Sequence, residues 1–125
     1  TELIFHLKSR ITQWKKDSMK ASNYKCIITG KPFRDIHHLY SFHLILEEAI
    51  QSLNFVLKEK IGDYTEDEMF VLTNKVKELH KKYPLGVCLT RKVHLLFHKL
   101  YGNKNNSPEQ FYEFTHKIKS GEILI

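Results

Sequence analysis

CLTRKVHLLFHKLYG, residues 88–102, is the stretch that decides how this chain is read. Thr90 is a helix-capping residue and Gly102 a helix stop, so the interval predicts a helix running to about Tyr101. His94 and His98 stand four apart on it, which puts both rings on one face, one turn from each other. That spacing lets two imidazoles reach a single metal ion. The chain has eight histidines (6, 37, 38, 43, 80, 94, 98 and 116). Scattered at random, they would give roughly 0.4 pairs at this spacing, so the pair gains weight only from its context.

That context is a second pair, His37-His38. Upstream of it, YKCIIT (24–29) is short and β-branched, Gly30-Lys31-Pro32 is a turn signal, and Phe33 to His38 reads as a strand. Residues 24–40 are therefore expected to form a β-hairpin ending in the two histidines. Val87–Leu89 reads as a short extended stretch just before the helix at 90–101. A hairpin packed on that helix would bring four imidazoles together, an arrangement ordinary core packing does not require.

Outward from these pairs the pattern is helical. Residues 1–22 hold a basic amphipathic helix over 3–20, with Leu3, Leu7, Ile11 and Trp14 on one face. Residues 41–85 read as an inserted helical pair. Its first member, 42–60, carries Leu44, Leu46, Ile50, Leu53, Val56 and Leu57. Its second, 66–82, opens on a Thr65/Glu68 capping box and carries Met69, Leu72, Val76 and Leu79. Ser107-Pro108-Glu109-Gln110 is another capping box with Pro at the first helical position, and that helix runs over 107–119. The expected fold class is α+β and mainly helical, in one domain over 1–125, with the metal-site helix in 86–102. Trp14, Phe111 and Phe114 are expected in the core. His43 and His80 are expected to be structural or exposed, and Asn103, Asn105 and Asn106 to form turns.

The 125 residues suit one domain, and the apolar fraction of 42% is too high for disorder. No apolar run approaches the ~20 residues that span a bilayer. The chain opens on Thr1 rather than Met, as a piece of a longer protein would. Cys26 and Cys88 do not make a disulfide framework, and two free, half-buried thiols in a reducing cytoplasm are expected. The formal charge is +6, and it is unevenly spread. Residues 1–34 hold eight Lys/Arg against two Asp/Glu, residues 35–90 six against nine, and residues 91–125 six against three. A polyanion such as nucleic acid would touch the ends and avoid the acidic middle. Lys15, Lys16, Lys20, Lys25, Lys31, Arg34, Arg91, Lys92 and Lys99 are the candidate phosphate contacts.

HHLYSF (37–42) and CLTRKVHLLFH (88–98), preceded by KCIITG (25–30) and followed by YGNKNNSPEQFYEF (101–114), resemble the HNH endonucleases. These are a branch of the ββα-metal, or His-Me finger, nucleases. The likeness covers about residues 10 to 119 and is nearest to the HNH domains of phage and intron homing endonucleases. It implies a ββα-metal core and a single divalent ion contacting the scissile phosphate and the leaving 3′ oxygen. His37, His94 and His98 match the metal-ligand positions, and His38 matches the general base. The products implied are a 5′-phosphate and a 3′-hydroxyl. Mg²⁺ or Mn²⁺ would serve catalysis, and a His-rich site also accepts Zn²⁺ or Ni²⁺. The implied partner is double-stranded DNA, met as a monomer or a dimer, in a bacterial or phage-infected cell. Two features depart from the family. The spacing of its middle Asn lands on Leu85, and Thr29 stands where a second cysteine would complete a structural zinc pair, which excludes a four-Cys site.

The chemistry of the residues agrees with that likeness. Phosphodiester hydrolysis needs a deprotonated nucleophile, which neutral His supplies near pH 7, and charge shielding, which a divalent cation supplies. Adjacent residues of a strand point to opposite faces, which favours separate tasks for His37 and His38. The alternatives are a zinc module closed by all four histidines, and an HNH-like module that binds DNA without cutting it.

Overall fold

The computed structural model describes all 125 residues. In chain order they form α1 (Glu2–Lys8), α2 (Thr12–Ala21), β1 (Asp35–His37), α3 (Phe42–Ser52), a 3₁₀ turn (Ile61–Asp63), α4 (Glu66–Lys82), β2 (Val87–Leu89), α5 (Arg91–Tyr101) and α6 (Pro108–Lys119). The fold is α+β and mostly helical, with one two-stranded antiparallel sheet. No helix is long and apolar enough to cross a membrane.

Local signals set most helix ends. Thr65 and Glu68 satisfy each other's backbone N–H groups at the start of α4, and Ser107 and Gln110 do the same for α6 behind Pro108. Thr90 Oγ1 accepts from Val93 N–H at the start of α5. Gly102 ends α5 at φ +85°, a left-handed conformation that glycine adopts without strain.

Three sequence expectations are corrected. The helix over 3–20 is two helices, broken at Ser9–Ile11. There the Ser9 hydroxyl and N–H both bond back to the His6 carbonyl, a local alternative to continuing the helix. The helix expected to Lys60 stops at Ser52. Asn54 then turns at φ +56°, and the Tyr64 hydroxyl fixes the following segment by donating to Val56 C=O and accepting from Lys58 N–H.

The third correction matters most for the site. Residues 24–40 are not a hairpin. Asn23 and Tyr24 both have positive φ, and the only pairing across the Gly30 turn is the bridge Lys25–Pro32. Proline lacks the N–H that would extend a ladder. β1 pairs instead with β2, in the register Asp35–Leu89, Ile36–Cys88, His37–Val87. The helical pair α3–α4 thus lies between the two strands in sequence, and α3 packs against α4.

Two apolar clusters flank this ribbon. The larger joins Leu3, Leu7, Ile11 and Trp14 to α3 and α4 through Ile45, Leu46, Leu72 and Val76. The smaller joins Cys26, Leu39 and Leu89 to Val93, Phe97, Phe111 and Phe114. Both cysteines are free thiols, fully rather than half buried, and Trp14, Phe111 and Phe114 are core, as expected. Residues 86–88 meet two hydroxyls at the C-terminal end of α2: Ser18 Oγ accepts from Gly86 N–H at 2.9 Å, and Ser22 Oγ, just past the helix, accepts from Cys88 N–H at 3.0 Å. These hydroxyls satisfy backbone donors that would otherwise be buried without partners. Gly86 is required by space. A Cβ there would lie 2.7 Å from the His37 carbonyl oxygen and from a Trp14 ring carbon.

Candidate metal centre

The β1–β2 pairing carries His37 to the first turns of α5. His37 is 2% exposed and packs on Phe97 and Phe111, with ring centroids at 4.6 and 5.4 Å. Its Nδ1 lies 3.3 Å from His94 Nε2, and His98 Nε2 lies 3.0 Å from the same atom. One ring nitrogen from each of His37, His94 and His98 falls within 4.8 Å of the other two. These three residues form a group able to hold a metal ion.

The partners of the outer nitrogens sharpen that statement. His94 Nδ1 lies 3.1 Å from Asp35 Oδ2, and His98 Nδ1 lies 2.8 Å from the Gly102 carbonyl oxygen. Carboxylates and carbonyls only accept, so both rings carry hydrogen on Nδ1. Burial holds the His94 pKa below its ordinary value against the opposing pull of Asp35, so its Nε2 presents a lone pair. In its neutral form His98 does the same. Two lone pairs 3.0 Å apart repel unless a proton or a cation lies between them. With bonds of about 2.0–2.1 Å, ligands on one cation stand about 3.3 Å apart at tetrahedral angles and about 2.9 Å at right angles. The His94–His98 and His37–His94 separations, 3.0 and 3.3 Å, fall in that range, and the third pair lies within 4.8 Å.

His37 differs from the other two in its outer nitrogen. Burial first, then the neighbouring His94 and His98, push its pKa down to about 3, so the ring is neutral. Its Nε2 is buried with no hydrogen-bond partner. As a mere structural residue that atom would cost about 1–3 kcal/mol. Coordination through Nδ1 would leave that Nε2–H facing the aromatic rings with no acceptor, so His37 lacks the outer partner that His94 and His98 have. Metal-binding histidines usually have their second nitrogen held by a carboxylate or carbonyl, as Asp35 and Gly102 hold His94 and His98. Gly102 can turn its carbonyl back on His98 because of its positive φ.

His38 does not join the group. Just past the end of β1, its ring stacks on Trp14 at 4.1 Å and its Nε2 meets His80 Nε2 at 3.1 Å. A zinc site closed by all four histidines is therefore not what the chain builds. His38 nevertheless lines the same cleft as the triad, a hollow of about 300 Å³ shared with Lys8, His43, Asn103 and Lys104. Burial is the main cause that lowers its pKa, and His80, Lys8, His37 and Lys15 add to it, so the ring is uncharged at neutral pH.

No protein-family model, curated protein or solved structure matches this chain. The site's chemistry is read from its residues alone.

Sequence reasoning named the triad and its neighbour His38 but missed four supporting residues. Asp35 binds both His94 and Arg91, the latter through Arg91 Nε at 2.9 Å. His80, expected to be structural or exposed, is buried and bonded to His38. Asn106, expected in a turn, is 2% exposed. Its carbonyl accepts from Ser41 N–H and its side-chain amide donates to Gly102 C=O, tying the loop after His38 to the end of α5. Trp14 was expected in the core, but not as the plate beneath His38. Only Asp35, two residues from His37 on the same strand face, could have been guessed from spacing.

The nine cations named from charge lie outside the His cleft. Lys16, Lys20, Lys25, Lys31, Arg34, Lys92 and Lys99 are exposed, Lys15 is half-buried, and Arg91 is engaged by Asp35. None lines the His cleft; Lys8 and Lys104 do. His43 is half-buried with its Nε2 3.2 Å from Glu47. A larger hollow, about 650 Å³, lies beyond Trp14 and His80 and holds none of the triad.

Proposed function

We propose that the chain is a divalent-metal-dependent DNA endonuclease, with His37, His94 and His98 as the metal ligands and His38 as the general base. The observation that carries this reading is the convergence of three imidazole nitrogens beside an open cleft that a fourth, uncharged imidazole also lines. Three protein ligands leave positions open for substrate and water, as catalytic rather than structural sites do. The succession β1, β2, α5, with ligands on the first strand and the helix, supports a ββα-metal core of the HNH kind.

A divalent ion held by the triad would shield the charge on the scissile phosphate and stabilise the departing 3′ oxygen. His38 takes a proton from water as the water oxygen bonds to phosphorus and the P–O3′ bond breaks; the departing 3′ oxygen takes a proton from solvent water, leaving a 5′-phosphate and a 3′-hydroxyl. Lys8 and Lys104, at the cleft, attract the flanking phosphates. Phe97 and Phe111 close the inner side of His37 to solvent. Imidazole donors suit Zn²⁺ or Ni²⁺, while Mg²⁺ or Mn²⁺ is the catalytic ion that the HNH likeness suggests.

The test is supercoiled plasmid incubated with the protein and a panel of these ions. Nicked and linear forms are expected with at least one of them. His38→Ala should keep the fold and bind metal, yet lose cleavage by roughly 10²-fold or more. Intact plasmid with every ion, together with salt-sensitive DNA binding, would replace the nuclease with a module that binds DNA without cutting.

A further inference from the structure

The contact between His38 and His80 lies outside the metal triad, and its direction follows from what lies behind it. His80 is on α4 and 3% exposed. Its Nδ1 lies 2.7 Å from the Val76 carbonyl oxygen, one turn back on the same helix. A carbonyl only accepts, so His80 carries hydrogen on Nδ1. No carboxylate touches the ring; its aromatic neighbours are Trp14, His38 and Phe42. Such a setting disfavours the imidazolium, and burial lowers the pKa of His80. A neutral ring with hydrogen on Nδ1 has a lone pair on Nε2. That nitrogen faces His38 Nε2 at 3.1 Å. Only one hydrogen can lie between the two atoms, and His38 must provide it.

We propose that His80 is a positioning residue that fixes the tautomer of His38, keeping hydrogen on His38 Nε2 and leaving Nδ1 as the nitrogen able to accept a proton. His38 Nδ1 makes no hydrogen bond to the protein, and it is not sealed off: His37 Nε2 is the only buried side-chain nitrogen or oxygen left without a partner. Trp14, stacked at 4.1 Å with its plane 19° from that of His38, and Phe42, edge-on at 5.6 Å, hold the ring's plane while His80 holds its rotation. The mechanistic consequence rests on the reading of His38 as general base. The tautomer itself does not. A backbone carbonyl on α4, in the segment between the two strands, thus sets which nitrogen of a residue beside β1 is basic.

The experiment is a long-range ¹H–¹⁵N correlation spectrum of the whole ¹⁵N-labelled chain, in which the two ring nitrogens report their protonation. His38 should appear with hydrogen on Nε2 in the wild type. His80→Leu should shift it toward a mixture of tautomers, and His80→Gln, which restores an acceptor, should recover most of the Nε2–H form. In the plasmid assay His80→Leu should lower the cleavage rate by roughly 10²-fold, the lower end of what a positioned base contributes, with His80→Gln intermediate. A wild-type His38 with hydrogen on Nδ1 overturns the proposal, even if His80→Leu does not fold. So does an Nε2–H population unchanged by His80→Leu. Should the wild type show the Nε2–H form but cut no DNA, the nuclease reading fails while the tautomer-setting contact stands.

Discussion

Replacing Asp35 by Asn tests whether the triad is built to bind metal. The Asp35 carboxylate accepts two hydrogen bonds, from Arg91 Nη2 at 3.1 Å and from His94 Nδ1 at 3.1 Å, and its Oδ2 also lies 2.9 Å from Arg91 Nε in an ion pair. Asn keeps one accepting oxygen and turns the other group into a donor. Arg91 and His94 then compete for that oxygen, and His94 loses the anion that raises its basicity. Loss of such a partner typically weakens metal binding by about 10–100-fold, or about 1.4–2.8 kcal/mol. The effect on folding should be smaller. Arg91 is half exposed, and ion pairs of that kind contribute about 0–1 kcal/mol. The assay is calorimetric titration with Zn²⁺ or Ni²⁺, alongside thermal melting in chelator. Asp35→Asn should lose at least tenfold in affinity and only a few degrees in melting temperature. Arg91→Met, which leaves Asp35 wholly to His94, should stay within a few-fold of wild type. An Asp35→Asn affinity within twofold of wild type would refute the account of His94 as an oriented ligand.

Other predictions follow from the packing and the buried rings. Gly86→Ala puts a Cβ 2.7 Å from the His37 carbonyl oxygen and from Trp14, so urea unfolding should show a loss of about 1–3 kcal/mol, with metal affinity reduced as β1 moves. Ser18→Ala leaves Gly86 N–H buried without its acceptor and should cost about 1–3 kcal/mol in the same measurement. Acid should destabilise the metal-free protein. The folded pKa of His37, about 3, lies below the unfolded value of 6.5, so the unfolded chain binds more protons as pH falls. The stability is fully present above pH 6.5 and is lost progressively toward pH 3. At roughly 1.4 kcal/mol per pH unit, His37 alone removes about 2 kcal/mol by pH 5. Urea midpoints in chelator at pH 7 and pH 5 check this, and His37→Gln should show a correspondingly smaller loss.

The elements that were legible in the sequence are those with short-range causes. The capping boxes at Thr65–Glu68 and Ser107–Gln110 lie where expected, because each involves atoms within one helical turn. The His94/His98 pair shares a face because a helix repeats every 3.6 residues. The breaks at Ser9–Ile11 and after Ser52 were missed. The apolar spacing continues across both, but the Ser9 hydroxyl bonds back to His6 in one case, and in the other Asn54 turns at positive φ with Tyr64 holding the segment beyond. The supposed hairpin at 24–40 failed for a related reason. Its residues have strand character, but strand pairing is settled by which partner buries the shared face, and that partner lies some fifty residues on.

By itself, the sequence determined the capped starts of α4, α5 and α6, the mainly helical class and the four histidines His37, His38, His94 and His98 as candidates, since these depend on residue type and periodicity within a few positions. Only the tertiary structure decided that β1 pairs with β2, that three of those rings face one point, and that the fourth turns to His80. Those outcomes depend on where buried hydrogen-bond donors and acceptors find partners once the chain has closed on itself, and no local pattern encodes them.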